Sequence, residues 1–167
     1  MLKIIEVIED ANRKDCSLPA LALALTLPDI CSQIEYPHET NVGHRYRLWY
    51  EKHVHKNESF HHLQNTYYAR FHQEESLLES FSGHACYKLR CLLLHQGDSA
   101  LSGEVKYDDL YFHIDSETEV KLREEKPKED HIKINSKLLS EYLCKHAKEY
   151  YENHPNKELF RKQMTHS

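Results

Sequence analysis

The sequence predicts a mainly α-helical fold: a helical bundle with a small C-terminal β-hairpin followed by a long helix. Three observations carry this expectation. Only four glycines and five prolines occur in 167 residues, while 29% of residues are charged, a balance unlike that of all-β or disordered chains. Apolar residues recur at helical spacing in several separate segments. Short alternating runs with the period of a strand come only after residue 110. The length suits one domain with one core, divided into a helical part (1–98), an elaboration (99–155) and a flexible tail (156–167).

The first helix is expected over Leu2–Lys14, where Leu2, Ile5, Ile8 and Ala11 fall on one face and acids on the other. Pro19 suits the first turn of a second helix, Ala20–Leu27, which is apolar nearly all round and therefore central. Pro28 then interrupts, Asp29–Ile34 adds one turn, and Tyr36-Pro37 forces an extended exit. His44–Lys56 resumes as a helix. Asn57–Phe81 lacks glycine and proline and reads as a further helix. Tyr111–Ile114 and Glu119–Leu122 alternate on either side of the turn-forming Asp115-Ser116-Glu117-Thr118, the pattern of a β-hairpin, and His131–Ile134 offers a third strand. Asn135 or Ser136 then caps a last helix reaching Asn153, stopped by Pro155, with Leu138, Leu139, Tyr142, Leu143, Ala147, Tyr150 and Tyr151 inward.

The remaining stretch, Ser82–Asp98, reads as the central helix. Ser82 can cap it and Gly97 can end it in the left-handed conformation. Ala85, Leu89, Leu92 and Leu93 make its buried face, widened by Leu94. Arg90 and His95 interrupt the apolar half. A guanidinium is costly to bury alone, and Arg90 has no carboxylate three or four residues away on its own helix.

Arg90-Cys-Leu-Leu-Leu-His95, followed by Gln-Gly-Asp, resembles the Arg-x(4–6)-His motif that closes the third helix of HEPN domains. CYKLRCLLLHQGD, together with LALALTLPDICSQIEYP, also resembles a family of uncharacterised bacterial proteins. The likeness covers about Leu18–Asp98. It implies a HEPN-like bundle and a metal-independent ribonuclease of the toxin–antitoxin or phage-defence kind, with an antitoxin or other partner protein. Cys91 stands where those nucleases often carry a small polar residue.

The residues suit that chemistry. Cleavage of RNA needs a base for the 2′-hydroxyl proton and a cation for the scissile phosphate. The pKa range of histidine fits His95 to the first task, and a planar fork fits Arg90 to the second. Five residues along a regular helix turn the chain by roughly 140°, so the two side chains do not share a stripe. The site can close if the last turn loosens toward Gly97, or in a homodimer whose partner supplies half of each site, and the resemblance points to the homodimer. One alternative is a non-catalytic HEPN-like module whose same surface binds RNA or a partner protein; another is a purely structural interaction protein in which Arg90 reaches an acid on another helix, with Glu6, Glu9 and Glu35 as candidates.

RNA binding is expected at the basic-aromatic stretch HRYRLWYEKHVHK, through Arg45, Arg47, Trp49 and Lys52, and at Lys88 on the central helix. The competing reading puts Leu48 and Trp49 in the core behind a solvated basic face. A net charge of −5 excludes a general nucleic-acid binder, so any RNA contact is local. Fourteen histidines are the compositional outlier, yet His61, His62 and His72 match no zinc pattern, so neither a metal nor another cofactor is expected. Five cysteines without a CxxC pair read as free thiols in a reducing cytoplasm. Acids in MLKIIEVIED argue against a signal peptide, and the longest apolar run, Leu18–Leu27, is too short to cross a membrane.

Overall fold

The computed structural model describes residues 1–55, 81–95, 104–107, 110–115 and 131–162, and these are mainly helical. In chain order they form α1 (Leu2–Arg13), α2 (Ser17–Ala24), α3 (Leu27–Glu35) and α4 (Val42–Tyr50). Helix α4 runs on into a π-helical turn, Glu51–His55. Then come α5 (Gly83–His95), β1 (Glu104–Tyr107), β2 (Leu110–Asp115), β3 (His131–Asn135), α6 (Ser136–Asn153) and α7 (Leu159–Lys162).

Helix α1 follows the expected pattern, with Ile5, Ile8 and Asn12 turned inward. It ends where Asp15 adopts a left-handed backbone, φ 56°, which a short polar side chain tolerates. Pro28 behaves differently from the expectation. It sits in the first turn of α3, where a missing N–H costs nothing, so it begins a nine-residue helix instead of interrupting one. Ser17–Glu35 as a whole has the length and apolarity of a membrane span (19 residues, mean hydropathy 1.3), with 56% of that window buried inside the fold. Its apolar side chains Leu21, Leu25 and Leu27 belong to the core, with Ile8, Tyr46, Trp49, Tyr50, Leu89, Leu92 and Leu139.

Helices α4 and α5 run antiparallel and nearly touch. A Cβ on Gly83 would lie 3.0 Å from the Arg47 carbonyl oxygen, and one on Gly43 would lie 2.8 Å from the Tyr87 ring. The start of α5 is capped twice, because the Ser82 hydroxyl accepts the Ala85 N–H at 3.4 Å and the Glu51 carboxylate accepts that of Gly83. Along the helix Ala85, Leu89, Leu92 and Leu93 are buried as expected, while Leu94 faces outward. Cys86 joins the core, beside the Tyr46 hydroxyl at 3.4 Å.

The sheet has the order β1-β2-β3. β1 and β2 are antiparallel, from Glu104 opposite His113 to Tyr107 opposite Leu110. β2 and β3 are parallel, from Tyr111 opposite His131 to Asp115 opposite Asn135. The expected hairpin paired residues 111–114 with 119–122. Glu119–Leu122 lies outside the described residues, and the antiparallel partner seen for β2 is β1, which precedes it. The expected helix over Asn57–Phe81 also lies outside them, apart from Phe81.

Asn135 caps α6 as anticipated, its side-chain oxygen accepting the Leu138 N–H at 2.9 Å. The tail expectation needs correction. Phe160 on α7 is buried, with its ring 5.0 Å from Tyr151 and 5.9 Å from Tyr150, so the chain is anchored well past residue 156.

Candidate functional site

Arg90 lies in the last two turns of α5 and reaches across to α3, where its Nε donates to Asp29 Oδ2 at 2.9 Å. The two side chains are 19% and 20% exposed, so the pair sits at the edge of the core rather than inside it. The acid is none of the three glutamates considered from the sequence. Asp29 occupies the first turn of α3, where the helix dipole favours a carboxylate.

A second guanidinium stands nearby. Arg45, on α4, acts on the charge of Asp29, and its Nη1 donates to the Glu39 carbonyl at 3.3 Å. Burial pushes the Asp29 carboxyl above the usual carboxylate range, against the pull of Arg90 and Arg45. For Arg90 burial works against the charge too, but Asp29 outweighs it and the guanidinium holds its proton more firmly. Tyr87 completes the cluster. It lies one turn before Arg90, half-buried, its ring over Gly43 and 5.3 Å from that of Tyr46. Burial, then Cys91, raises the Tyr87 hydroxyl.

The arrangement therefore gathers two cations, one carboxylate and one partly exposed aromatic ring from three helices. Such a set can hold a phosphate oxygen by guanidinium forks and support a base or sugar on the ring.

The residues expected to bind RNA divide. Arg45 belongs to the cluster. Arg47 is half-buried and its Nε donates back to the Gly43 carbonyl at 3.1 Å, one turn earlier. Trp49 is corrected: it is wholly buried, stacked on His53 at 5.1 Å and edge-on to Tyr150 at 5.7 Å, and offers no face to a base. The competing reading described Trp49 properly but not Leu48, which is exposed. Lys88 is buried too, so it is no surface contact. Lys52 is exposed but donates to Glu35, which also meets His53 Nε2 at 2.6 Å. That second cluster ties the π-helical turn to α3. The helix of Arg90 continues through His95, so the separation of roughly 140° holds along α5.

Asp29 and Tyr87 were the residues missed. Tyr87 carried a signal, since it lies three residues before Arg90 and so on the same face. Asp29 follows Pro28, and a proline taken as a helix start would have placed that acid in a first turn. The five cysteines are free; Cys86 and Cys144 are buried and their thiols pushed up to about 12, mainly by that burial, which leaves them poor nucleophiles. Among the described residues no three His, Cys, Asp or Glu side chains converge as a metal site would require. The histidines His61, His62 and His72 lie outside them.

No protein-family model, curated protein or solved structure matches the chain.

Proposed function

We propose that this chain is a HEPN-like, metal-independent endoribonuclease acting in the cytoplasm as a toxin or phage-defence effector. The supporting observation is the Arg90–Asp29 pair itself. It joins the two stretches on which the resemblance rests, LALALTLPDICSQIEYP and CYKLRCLLLHQGD, beside a second arginine and a tyrosine. In this reading Asp29 orients Arg90, and the guanidinium neutralises charge on the scissile phosphate. His95 takes the 2′-hydroxyl proton, the 2′-oxygen attacks phosphorus, and the bond to the 5′-oxygen of the next nucleotide breaks, that oxygen taking a proton from water to become the free 5′-hydroxyl. An aspartate-held arginine at the edge of the core also favours a second reading, a non-catalytic module whose Arg90 only fastens α5 to α3.

The turn of roughly 140° between Arg90 and His95 calls for a homodimer with sites shared across its axis. Two inactive variants, Arg90→Ala and His95→Ala, are then expected to complement each other. After unfolding together and refolding, half of the dimers are mixed and each holds one intact site, giving about a quarter of wild-type activity. A mixture as inactive as its components rules out the shared site.

A further inference from the structure

Helix α4 begins on a loop in which one residue, Glu39, holds both a histidine and an arginine. Asn41 caps the helix, its Oδ1 accepting the His44 N–H at 2.9 Å. The Glu39 carboxylate is fixed from two sides: Oε1 accepts the Asn41 N–H at 2.8 Å, and Oε2 lies 2.7 Å from His44 Nδ1. The Glu39 carbonyl accepts from Arg45 Nη1 at 3.3 Å. The His44 side chain is 48% exposed, so solvent and substrate can reach the ring. Its Nδ1–H donates to the carboxylate, which sets the ring's orientation and leaves Nε2 as the nitrogen that takes up and releases a proton. A carboxylate-oriented imidazole beside a guanidinium is a pattern suited to acid–base chemistry on a phosphate ester.

The packing of α4 on α5 puts this loop at the Arg90 end of the central helix. The two helices run antiparallel, with Gly83 against Arg47 and Gly43 against Tyr87; a Cβ on Gly43 would lie 2.8 Å from the Tyr87 ring and 3.3 Å from its hydroxyl. His44 follows Gly43, about 3.8 Å away between Cα atoms. Arg90 lies three residues past Tyr87, about 4.5 Å along the axis of α5. Going back along the chain from Gly43 to Glu39 and forward from Tyr87 to Arg90 therefore leads toward the same end of the pair.

Resting on the ribonuclease reading, we propose that His44, oriented by Glu39, is a further catalytic residue, the acid that protonates the leaving 5′-oxygen. As the bond from phosphorus to that oxygen breaks, its electron pair stays on oxygen and the Nε2 proton of the His44 imidazolium joins it, so the 5′-hydroxyl forms without waiting for a proton from water. His44 is left neutral and recovers its proton from solvent, while His95 releases to solvent the proton it took from the 2′-hydroxyl. Glu39 touches no reacting atom. It is a positioning residue that acts through the His44 ring.

The test uses the full-length protein and two RNA oligonucleotides of one sequence, one ordinary and one with sulfur in place of the 5′-bridging oxygen at the mapped cleavage position. A thiol is far more acidic than an alcohol, so sulfur leaves as the thiolate and a general acid has nothing to add there. His44→Ala changes an exposed side chain and should spare the fold. It is expected to cut ordinary RNA about a hundredfold more slowly than wild type, and the sulfur substrate within about threefold of it. Glu39→Gln should show the same pattern with a loss of about tenfold on ordinary RNA. His95→Ala should be slow on both substrates, because the 2′-hydroxyl must still lose its proton. Undiminished cleavage of ordinary RNA by His44→Ala, or an equal loss on both substrates in the His44 and Glu39 variants, overturns the assignment and leaves the ribonuclease reading standing. If wild type does not cut ordinary RNA, both fail together.

Discussion

Arg90→Ala is expected to abolish RNA cleavage and to lower stability by about 2–3 kcal/mol, less than a fully buried pair because the edge position lets water screen what remains. The loss of stability arises at Asp29, whose Oδ2 is stripped of its partner while Oδ1 has none among the described residues. For a chain of this size that corresponds to a drop in Tm of about 5–10 °C. Loss of activity by itself therefore does not identify a catalytic arginine, because a partly unfolded protein is also inactive. A compensated variant separates the two effects. Arg90→Met with Asp29→Leu replaces the ion pair by apolar contact, a change that often restores or raises stability. The double variant is expected to melt within a few degrees of wild type, as about 1 kcal/mol would allow, and to remain inactive. Wild-type cleavage by this double variant would show that Arg90 has no part in the reaction.

Trp49→Ala is expected to cost about 3–5 kcal/mol, which rivals the whole stability of many domains of this size. The indole is wholly buried between His53 and Tyr150, and truncation opens a cavity where α4, its π-helical continuation and α6 meet. Trp49→Phe should cost much less, since it keeps an aromatic ring and removes an indole N–H that has no partner among the described residues. Urea titration of the two variants checks the order. If Trp49→Ala is as stable as wild type but no longer binds RNA, the tryptophan is a surface contact and not a core residue. Without the structure, weakened RNA binding by this variant would have been read as a lost stacking platform.

The difference between Trp49 and Arg90 shows what periodicity conveys and what it leaves out. Helix α1, the Ser82 start of α5, the strand at β3 and the Asn135 cap of α6 depend on neighbours within a few residues, so their signals lie in contiguous sequence. Arg90 and Asp29 are 61 residues apart. The sequence marked Arg90 as needing an acid, but the choice of Asp29 over Glu6, Glu9 or Glu35 depends on how α3 packs beside α5. Pro28 hid the answer, since a proline between two apolar runs reads equally well as the end of one helix or the first turn of the next. The basic-aromatic stretch misled for a related reason. His44–Lys56 alternates cations and rings, yet the close approach of α4 to α5 at Gly43 and Gly83 turns Tyr46, Trp49 and Tyr50 inward and leaves Arg45 at the cluster. β1 was not foreseen, because four residues give too short a run to stand out from charged surroundings.

Under the proposed function the chain cuts RNA by internal attack of a 2′-hydroxyl, with Arg90 and His95 as the reacting groups. The most direct measurement is the chemistry of the product ends. Purified wild-type protein is incubated with a single-stranded RNA in excess EDTA, in parallel with His95→Ala. Wild type is expected to cleave, leaving 2′,3′-cyclic phosphate on the upstream fragment and a free 5′-hydroxyl on the downstream one. Folded His95→Ala is expected to cleave at least about a hundredfold more slowly, the usual share of a positioned general base being about 10²–10⁴. Intact RNA with the wild-type protein, 5′-phosphate ends, or undiminished cleavage by His95→Ala would contradict that function and leave Arg90 as the fastening between α5 and α3.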